Sequence, residues 1–289
     1  VQHHLKVGVA LPFHVRDANQ TMLLGRGQVI ADQSQLLGLI QRGALVDSEA
    51  VTLAASPRKL IEQAEQRQLP ALLRESIQQA IHQLDKVQPE QLAATVETLA
   101  DPLMAIAERD PDLAIFQVLR QEGNYLVQYG VNHAIHCAIT VFLAATRLGW
   151  NHSEVQRAFK AALTMNVSMF ELQGELATQS SAVTETQRAD IKSHAQRSTI
   201  MLETAGIRDA IRLGAVAHHH APAKGSDSAA DELATLLSRA DVYTAKLSAR
   251  RSREALGADV AARLMFMSHR ADPVSAAIVK EFGVYPPGC

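Results

Sequence analysis

Histidine side chains recur in separate stretches of the second half of the chain, and an aspartate follows them. They are His133 and His136, His194, the run His218, His219 and His220, and then Asp241. Imidazole nitrogens and a carboxylate gathered from several helices are the ligands with which helical bundles hold divalent transition metals. Spacing alone does not separate such a site from histidines that merely pack in a core or lie on a surface.

Three arginines, a cysteine and a threonine also carry groups that could take part in chemistry. Arg250, Arg251 and Arg253 form a basic run, which suits either phosphate oxygens, since planar guanidinium donors grip them in pairs, or a solvated turn after a helix. Cys137 and Thr140 are interpreted as small core residues, because the sequence shows no paired base that would activate them.

Composition narrows the class of protein. The 289 residues are 47% hydrophobic, so a sizeable core is expected, and the net charge of -2 gives no global basic field for nucleic acid. The two cysteines, Cys137 and Cys289, cannot build a disulfide framework, which favours the cytoplasm. The apolar run 134–145 is too short for a membrane span and is interrupted by His136 and Thr140.

The elements that must position these residues are expected to be mainly α-helices. Aromatic residues make up only 4% of the chain, which disfavours sandwiches and barrels. The early exception is a turn-rich segment, 17–20, between the strand-like runs 11–15 and 22–24, which predicts a small β-hairpin. A short helix from Asp32 to Arg42, stopped by Gly43, completes an N-terminal unit.

Prolines mark the next helices. Ser56 and Pro57 predict a helix start, and apolar residues recur at helical spacing as far as Leu84. Further helices are predicted over 90–108 and 112–120, each directly after a proline. Gly123 with Asn124 predicts a break, and 223–228 predicts a loop.

The predicted organisation has three parts. Residues 1–55 form an accessory unit with the hairpin, 56–110 form connecting helices, and 111–289 form a helical domain that carries the histidines. The helical surface between Leu60 and Leu103 can support a homodimer or pack within the chain.

The order of the motifs from about residue 112 to 282 resembles the HD-GYP family. The matching residues are Tyr129 with His133 and His136, Leu148 with Gly149 and Trp150, His194, His219 with His220, Asp241 with Tyr243, and Arg250 with Arg253. A match in many parts and in one order is more specific than a lone motif. The resemblance implies a mainly α, HD-domain-like helical bundle. It also implies kinship with metal-dependent phosphodiesterases that open the bacterial second messenger cyclic di-GMP at an iron- or manganese-type site.

The resemblance also implies roles for individual residues. The implied metal ligands are His133, His194, His219, His220 and Asp241, and the implied phosphate-binding residues are Arg250 and Arg253. Some members add a carboxylate four residues before the first ligand, where this chain has Tyr129.

The departures from the family pattern lie at its most characteristic positions. Met165 and Asn166 stand where the family has its His-Asp pair, and Met169 stands where a lysine is expected. Ala221 replaces a glutamate, and 223–228 replaces the Gly-Tyr-Pro loop. Because a bridging aspartate neutralises two cations and sets their separation, neutral Asn166 predicts that ordinary hydrolysis is lost.

Three functional interpretations follow. In the first, the chain is a degenerate HD-GYP-like signalling protein that binds cyclic di-GMP, another phosphorylated small molecule, or a protein partner such as a diguanylate cyclase. In the second, it is an active phosphohydrolase with an altered metal site. The third is a regulatory domain of the related HDOD type, against which His219, His220 and the Arg250 to Arg253 match argue.

The metal content is left as two alternatives. The surviving ligands hold one iron, manganese or zinc ion, or they form a hydrogen-bonded polar cluster without metal.

Overall fold

A computed structural model gives the fold. It describes residues 5, 7–8, 11, 13–25, 27–46, 57–120, 128–221, 228–251, 253–268 and 272–283. The chain divides into two compact units, Val1–Glu65 and Gln66–Cys289.

The first unit contains the predicted hairpin and short helix. Strand β1 (Val15–Arg16) pairs antiparallel with β2 (Met22–Leu24), with Val15 opposite Leu24 and Arg16 opposite Met22. The carboxylate of Asp17 closes the turn by accepting hydrogen bonds from the backbone of residues 19 and 21. The predicted β-hairpin is therefore confirmed.

Helix α1 (Gln33–Gln41) begins where the side chain of Asp32 accepts a hydrogen bond from the backbone N–H of Gln35. It ends before Gly43, whose φ of 67° is the left-handed conformation that glycine adopts without strain. A further helix, α2 (Pro57–Gln63), starts at the predicted proline, while Ser56 lies outside the described residues.

The second unit opens with three helices whose starts are set by prolines. After a 3-10 turn (Gln66–Gln68) come α3 (Leu69–Leu84), α4 (Pro89–Arg109) and α5 (Pro111–Leu119). The predicted helices over 90–108 and 112–120 are confirmed to within one residue at each end. Proline fits the first helical turn because the N–H that it lacks has no partner there.

Helix α6 (Tyr129–Arg147) is the centre of the second unit. Its side chains are buried along almost the whole length, and it packs against α3, α4 and α5 as well as later helices. Helix α7 (His152–Thr164) follows, started by a capping box between Asn151 and Glu154. A 3-10 turn (Val167–Met169) leads into α8 (Phe170–Thr178).

The remaining helices complete the bundle around α6. They are α9 (Glu185–Thr204), α10 (Ala210–His218), α11 (Ala229–Leu247), α12 (Ala258–Ser268) and α13 (Pro273–Phe282). Helices α7, α8, α11 and α13 all contact α6. The predicted helical bundle is therefore confirmed, while Gly123, Asn124 and most of 223–228 lie outside the described residues.

Within the described ranges, no helix combines the length and the apolar character that crossing a membrane requires.

Candidate functional site

Three of the predicted ligands meet at the end of α10 and the middle of α9. The Nε2 atom of His194 lies 3.2 Å from Nε2 of His219 and 3.1 Å from Nε2 of His220. His194 and His219 are buried, whereas His220 is exposed. The cluster therefore has two fixed imidazoles and one that reaches it from the surface.

Backbone carbonyls orient the two buried imidazoles. Nδ1 of His194 lies 2.5 Å from the carbonyl oxygen of Ile191, and Nδ1 of His219 lies 2.7 Å from that of Val216. A carbonyl can only accept, so each Nδ1 donates a proton and each neutral ring keeps an Nε2 lone pair. The two Nε2 lone pairs face each other at 3.2 Å, and a bound cation would satisfy them.

Burial keeps these imidazoles neutral. Desolvation is the largest influence on both rings and lowers the pKa of His194 and, with help from the neighbouring His220, lowers that of His219 to about 4. Neutral imidazole is the form that binds metal. At neutral pH, deprotonation of His194 and His219 therefore costs nothing when a metal binds.

A second cluster joins α6 to α11. Nε2 of His133 lies 2.8 Å from Oδ1 of Asp241, and Sγ of Cys137 lies 3.6 Å from the same Nε2. The Thr244 hydroxyl is 3.0 Å from the Cys137 sulfur and donates to the carbonyl oxygen of Ala240 at 2.8 Å. His133, Cys137 and Asp241 are placed as a set that could hold a metal ion.

The charges of the His133 and Asp241 pair support each other. Burial raises the pKa of Asp241, but the hydrogen bond from His133 and the charge of that ring, with further electrostatic contributions from His219 and His220, outweigh it, so this pKa lies well below its usual range. Burial lowers the pKa of His133, but Cys137, Tyr129 and the bond to Asp241 together raise it above its usual value. The carboxylate is therefore ionised, and it lies close to both clusters.

The side chains at the family's His-Asp positions have different surroundings. Met165 is fully buried at the end of α7. Asn166 is 1% exposed, and its Nδ2 donates to Oδ1 of Asp241 at 3.3 Å. Among the described residues, Asn166 Oδ1 has no hydrogen-bond partner. An unpaired acceptor that is buried beside a carboxylate destabilises the fold unless a donor or a cation satisfies it.

His136 does not join either cluster. Its ring is buried, and burial lowers its pKa to about 3. It lines a cavity of about 750 Å³ on the neighbouring face of α6. The predicted pair His133 and His136 therefore divides between the metal cluster and the cavity.

The cavity has a basic lining. Among the described residues that line the cavity, Asp85 is the one acidic side chain, and the cationic or basic side chains outnumber it. They are Arg74, His82, Arg120, Arg250 and Arg251, while the buried His136 is neutral. Phe116 and Tyr129 add aromatic surfaces. A space of this size with these groups suits an anionic ligand with a flat ring.

Tyr129 connects the cavity with the second cluster. Its ring stacks on that of His133, with centroids 5.6 Å apart and planes 12° apart. The Arg250 guanidinium lies 5.0 Å from the centroid of the Tyr129 ring and donates to its hydroxyl at 2.8 Å. Arg250 is therefore held at the edge of the cavity by a residue that also touches a candidate ligand.

Arg253 is placed differently from Arg250. Its guanidinium donates to the backbone carbonyls of Ala245 and, at 3.3 Å, Ser248, at the C-terminal end of α11. It is absent from the described residues that line the cavity. The backbones of the two arginines are joined by hydrogen bonds of 2.8 and 3.0 Å, but their guanidinium groups, which the resemblance paired as phosphate-binding, have different partners.

The donor sets fit a divalent transition metal. In a tetrahedral zinc site, ligand nitrogens about 2.0 Å from the metal lie about 3.3 Å from each other. The separations of 3.2 and 3.1 Å in the cluster of His194, His219 and His220 are close to that value. These three residues would hold the ion, which supplies Lewis acidity when bound.

The sequence analysis interpreted Cys137 as a small core residue, and the structure buries it completely, but the contact of its sulfur with His133 was not predicted. Thr244 was not singled out. Cys137 lies one helical turn after His133, so the i, i+4 spacing already placed the thiol and imidazole on one face. Thr244 lies three residues after Asp241 on α11 and carried no comparable signal.

Comparison with known proteins supports the fold. No family model matches the sequence, and no curated protein does. Among solved structures, the chain is similar to Bd1817, described as an HDG"Y"P protein from Bdellovibrio bacteriovorus, with a TM-score of 0.60, 12% identity and 96% of each chain covered. The predicted HD-domain-like helical fold, which the resemblance to the HD-GYP family implied, is therefore confirmed.

Proposed function

We propose that the chain is a divergent, HD-GYP-like signalling protein of the cytoplasm. It binds a divalent transition metal and a phosphorylated second messenger of the cyclic di-GMP class, but does not hydrolyse the messenger by the family's ordinary route. The bound state then acts on a protein partner. The single observation that carries this proposal is the convergence of three imidazoles on one point beside an ionised Asp241.

Metal binding is supported by the orientation and protonation of the ligand imidazoles. Carbonyl oxygens fix the tautomers of His194 and His219, so that each Nε2 is available without a change of rotamer or protonation. A polar cluster that only filled a core would pair a donor with an acceptor at each contact. Here the neutral Nε2 atoms of His194 and His219 face each other at 3.2 Å, which a cation explains better.

Loss of ordinary hydrolysis is supported by the two residues, Met165 and Asn166, that stand where the HD-GYP family has its His-Asp pair. The thioether of Met165 is buried and uncharged, and Asn166 has no negative charge with which to bridge two cations. A two-metal hydrolase needs such a bridge to hold its ions at the separation that clamps attacking and leaving oxygens.

Binding of an anionic ligand is supported by the cavity beside Tyr129. Arg250 and Arg251 line one side, and Arg74 and Arg120 also belong to the lining. Guanidinium groups bind phosphate oxygens with two parallel donors, and the aromatic rings of Phe116 and Tyr129 can stack on a base.

The experiment that tests the metal is elemental analysis of protein purified without an affinity tag or chelator, together with its His219→Ala variant. We expect iron, manganese or zinc at about one equivalent or more, and a loss of about one equivalent in the variant. Absence of metal from both proteins contradicts the metal part of the proposal.

The experiment that tests the ligand is calorimetric titration of the metal-replete protein with cyclic di-GMP, followed by chromatography of the nucleotide. We expect binding without a linear product. An active phosphohydrolase with an altered site is the second candidate, favoured by the number of donors that remain around Asp241. It predicts a product that the wild-type protein forms and an Asp241→Ala variant does not.

A further inference from the structure

We propose that Cys137 is a thiolate ligand of a second cation position, which it forms with His133 and Asp241 beside the cluster of His194, His219 and His220. This inference rests on the metal-binding part of the proposed function. It adds a soft sulfur donor to a site for which the resemblance to the HD-GYP family implied only imidazole and carboxylate ligands.

The geometry of the three side chains carries the proposal. One ligand atom from each of His133, Cys137 and Asp241 lies within 4.8 Å of the others. A tetrahedral ion with a sulfur at about 2.3 Å and a nitrogen at about 2.0 Å separates those two atoms by about 3.5 Å. Cys137 Sγ lies 3.6 Å from His133 Nε2.

The imidazole and the carboxylate need only a small adjustment. They are 2.8 Å apart, as befits a direct hydrogen bond. Two ligands of one ion lie about 3.3 Å apart, so these atoms must separate by about 0.5 Å as the shared proton is replaced by a cation. Asp241 is 19% exposed in its side chain, so the carboxylate has room to move.

A second observation points to a cation at this place. Asn166 is almost completely buried, its amide reaches Asp241, and its oxygen has no hydrogen-bond partner among the described residues. The amide faces Asp241 with its nitrogen. Half a turn of the amide would put the oxygen there instead, and an amide oxygen is an acceptable fourth ligand for a divalent ion. A cation here would then satisfy an acceptor that otherwise costs stability.

Cys137 also restores a donor that the chain lacks elsewhere. Met165 stands where the resemblance expects an imidazole, and its thioether is a weak donor. The thiol of Cys137 approaches from α6, one turn after His133, and therefore brings a strong donor to the same centre from a different helix.

The environment of the sulfur is suited to a bound thiolate. The Thr244 hydroxyl lies 3.0 Å from Sγ and can donate to it by turning away from the carbonyl of Ala240. Formation of the sulfur–metal bond breaks the S–H bond, and the proton passes to solvent. A thiolate favours zinc, cobalt or iron over magnesium and manganese.

The test uses the full chain with Cys289→Ser, because Cys137 is then the only thiol in the protein. The protein is stripped of metal, titrated with Co²⁺ and followed in the near ultraviolet, where a thiolate bound to cobalt gives a charge-transfer band. Bound cobalt is counted separately by elemental analysis after gel filtration.

We expect the band, and about two equivalents of cobalt. Adding Cys137→Ser should abolish the band and remove about one equivalent, while His219→Ala should remove about one equivalent and leave the band. Thr140→Val is the matched control, since Thr140 is also fully buried on α6 and belongs to neither cluster. It should leave both readouts unchanged.

The possible failures are distinguishable. Cobalt bound without a charge-transfer band overturns the thiolate ligand and leaves the proposed function standing, whereas no bound cobalt overturns both. Loss of the band in His219→Ala overturns the second position by showing one shared site. If Cys137→Ser fails to fold by circular dichroism, Cys137→Ala replaces it and the same outcomes apply.

Discussion

Gly130 lies against the backbone of Phe170 with no room for a side chain. A Cβ atom built on Gly130 would be 2.4 Å from the Phe170 carbonyl oxygen and 2.6 Å from its Cα. This contact joins the first turn of α6 to the start of α8, close to Asn166 on one side and His133 on the other. The close approach sets how near the His133 helix can lie to the segment that carries Asn166.

Gly130→Ala should therefore destabilise the protein, because the new methyl group meets backbone rather than a flexible side chain. Overpacking of this kind costs about 1–3 kcal/mol or more, and the free energy of unfolding from urea titration will measure it. Gly38→Ala is the control, since nothing lies within 4 Å of a Cβ there. Equal free energies of unfolding for the two variants would contradict the prediction, because they would show that α8 shifts to make room for the methyl group.

The two arginines of the basic run should differ in their effects. Arg250 lines the cavity and is held by Tyr129, so Arg250→Ala should weaken binding of cyclic di-GMP about tenfold or more. Arg253→Ala should leave the affinity unchanged and lower the thermal midpoint instead, because its donors cap carbonyls at the end of α11. Titration calorimetry and melting curves of both variants decide this, and a reversed pattern would place the ligand elsewhere.

Local chemistry in the sequence predicted the elements well. Pro57, Pro89 and Pro111 begin helices, and Asp32 and Gly43 bound α1, because capping and proline geometry act within a few residues. The hairpin turn that begins at Asp17 was predicted for the same reason. Burial of α6 on nearly all sides also agrees with its apolar run.

The site was less accessible to sequence reasoning. That His194, His219 and His220 meet depends on the packing of α9 against α10, and only the resemblance suggested it. Arg250 and Arg253 are joined by backbone hydrogen bonds, so the different partners of their guanidinium groups depend on the contacts with Tyr129 and with helix-end carbonyls, which no spacing encodes. Cys137 lies at i, i+4 from His133 in the sequence, but it was interpreted there as a core residue.

His136 should make the metal-free protein sensitive to acid. Burial lowers its pKa from 6.5 to about 3, so between these pH values the unfolded chain binds a proton that the folded chain does not. The free energy of unfolding therefore falls as the pH falls through this window, by at most about 1.4 kcal/mol per pH unit from this group.

Urea titrations of chelator-treated protein from pH 7 to about 4 will measure that slope. His136→Gln should make the slope shallower, because the group that takes up the proton in the unfolded state is gone. His82→Gln is the control, since His82 lines the same cavity with an exposed side chain. Parallel slopes for wild type and His136→Gln would contradict the prediction.

Asn166→Asp should raise the affinity for a divalent metal. The new carboxylate would lie beside Asp241, where Asn166 now donates at 3.3 Å, and two close carboxylates repel unless a cation lies between them. We therefore expect a metal-free protein that is less stable than wild type and a Zn²⁺ affinity about ten- to a hundredfold higher, measured by competition with a chromogenic chelator.

The paired substitution Met165→His with Asn166→Asp extends the same argument to chemistry. It returns an imidazole and a bridging carboxylate to the positions where the wild-type chain has a buried thioether and a neutral amide. If those two side chains are what prevents hydrolysis, the double variant should form a linear product from cyclic di-GMP in the chromatographic assay, and Met165→Leu should not. A double variant that binds metal more tightly yet stays inactive would mean that hydrolysis is blocked by more than the metal bridge.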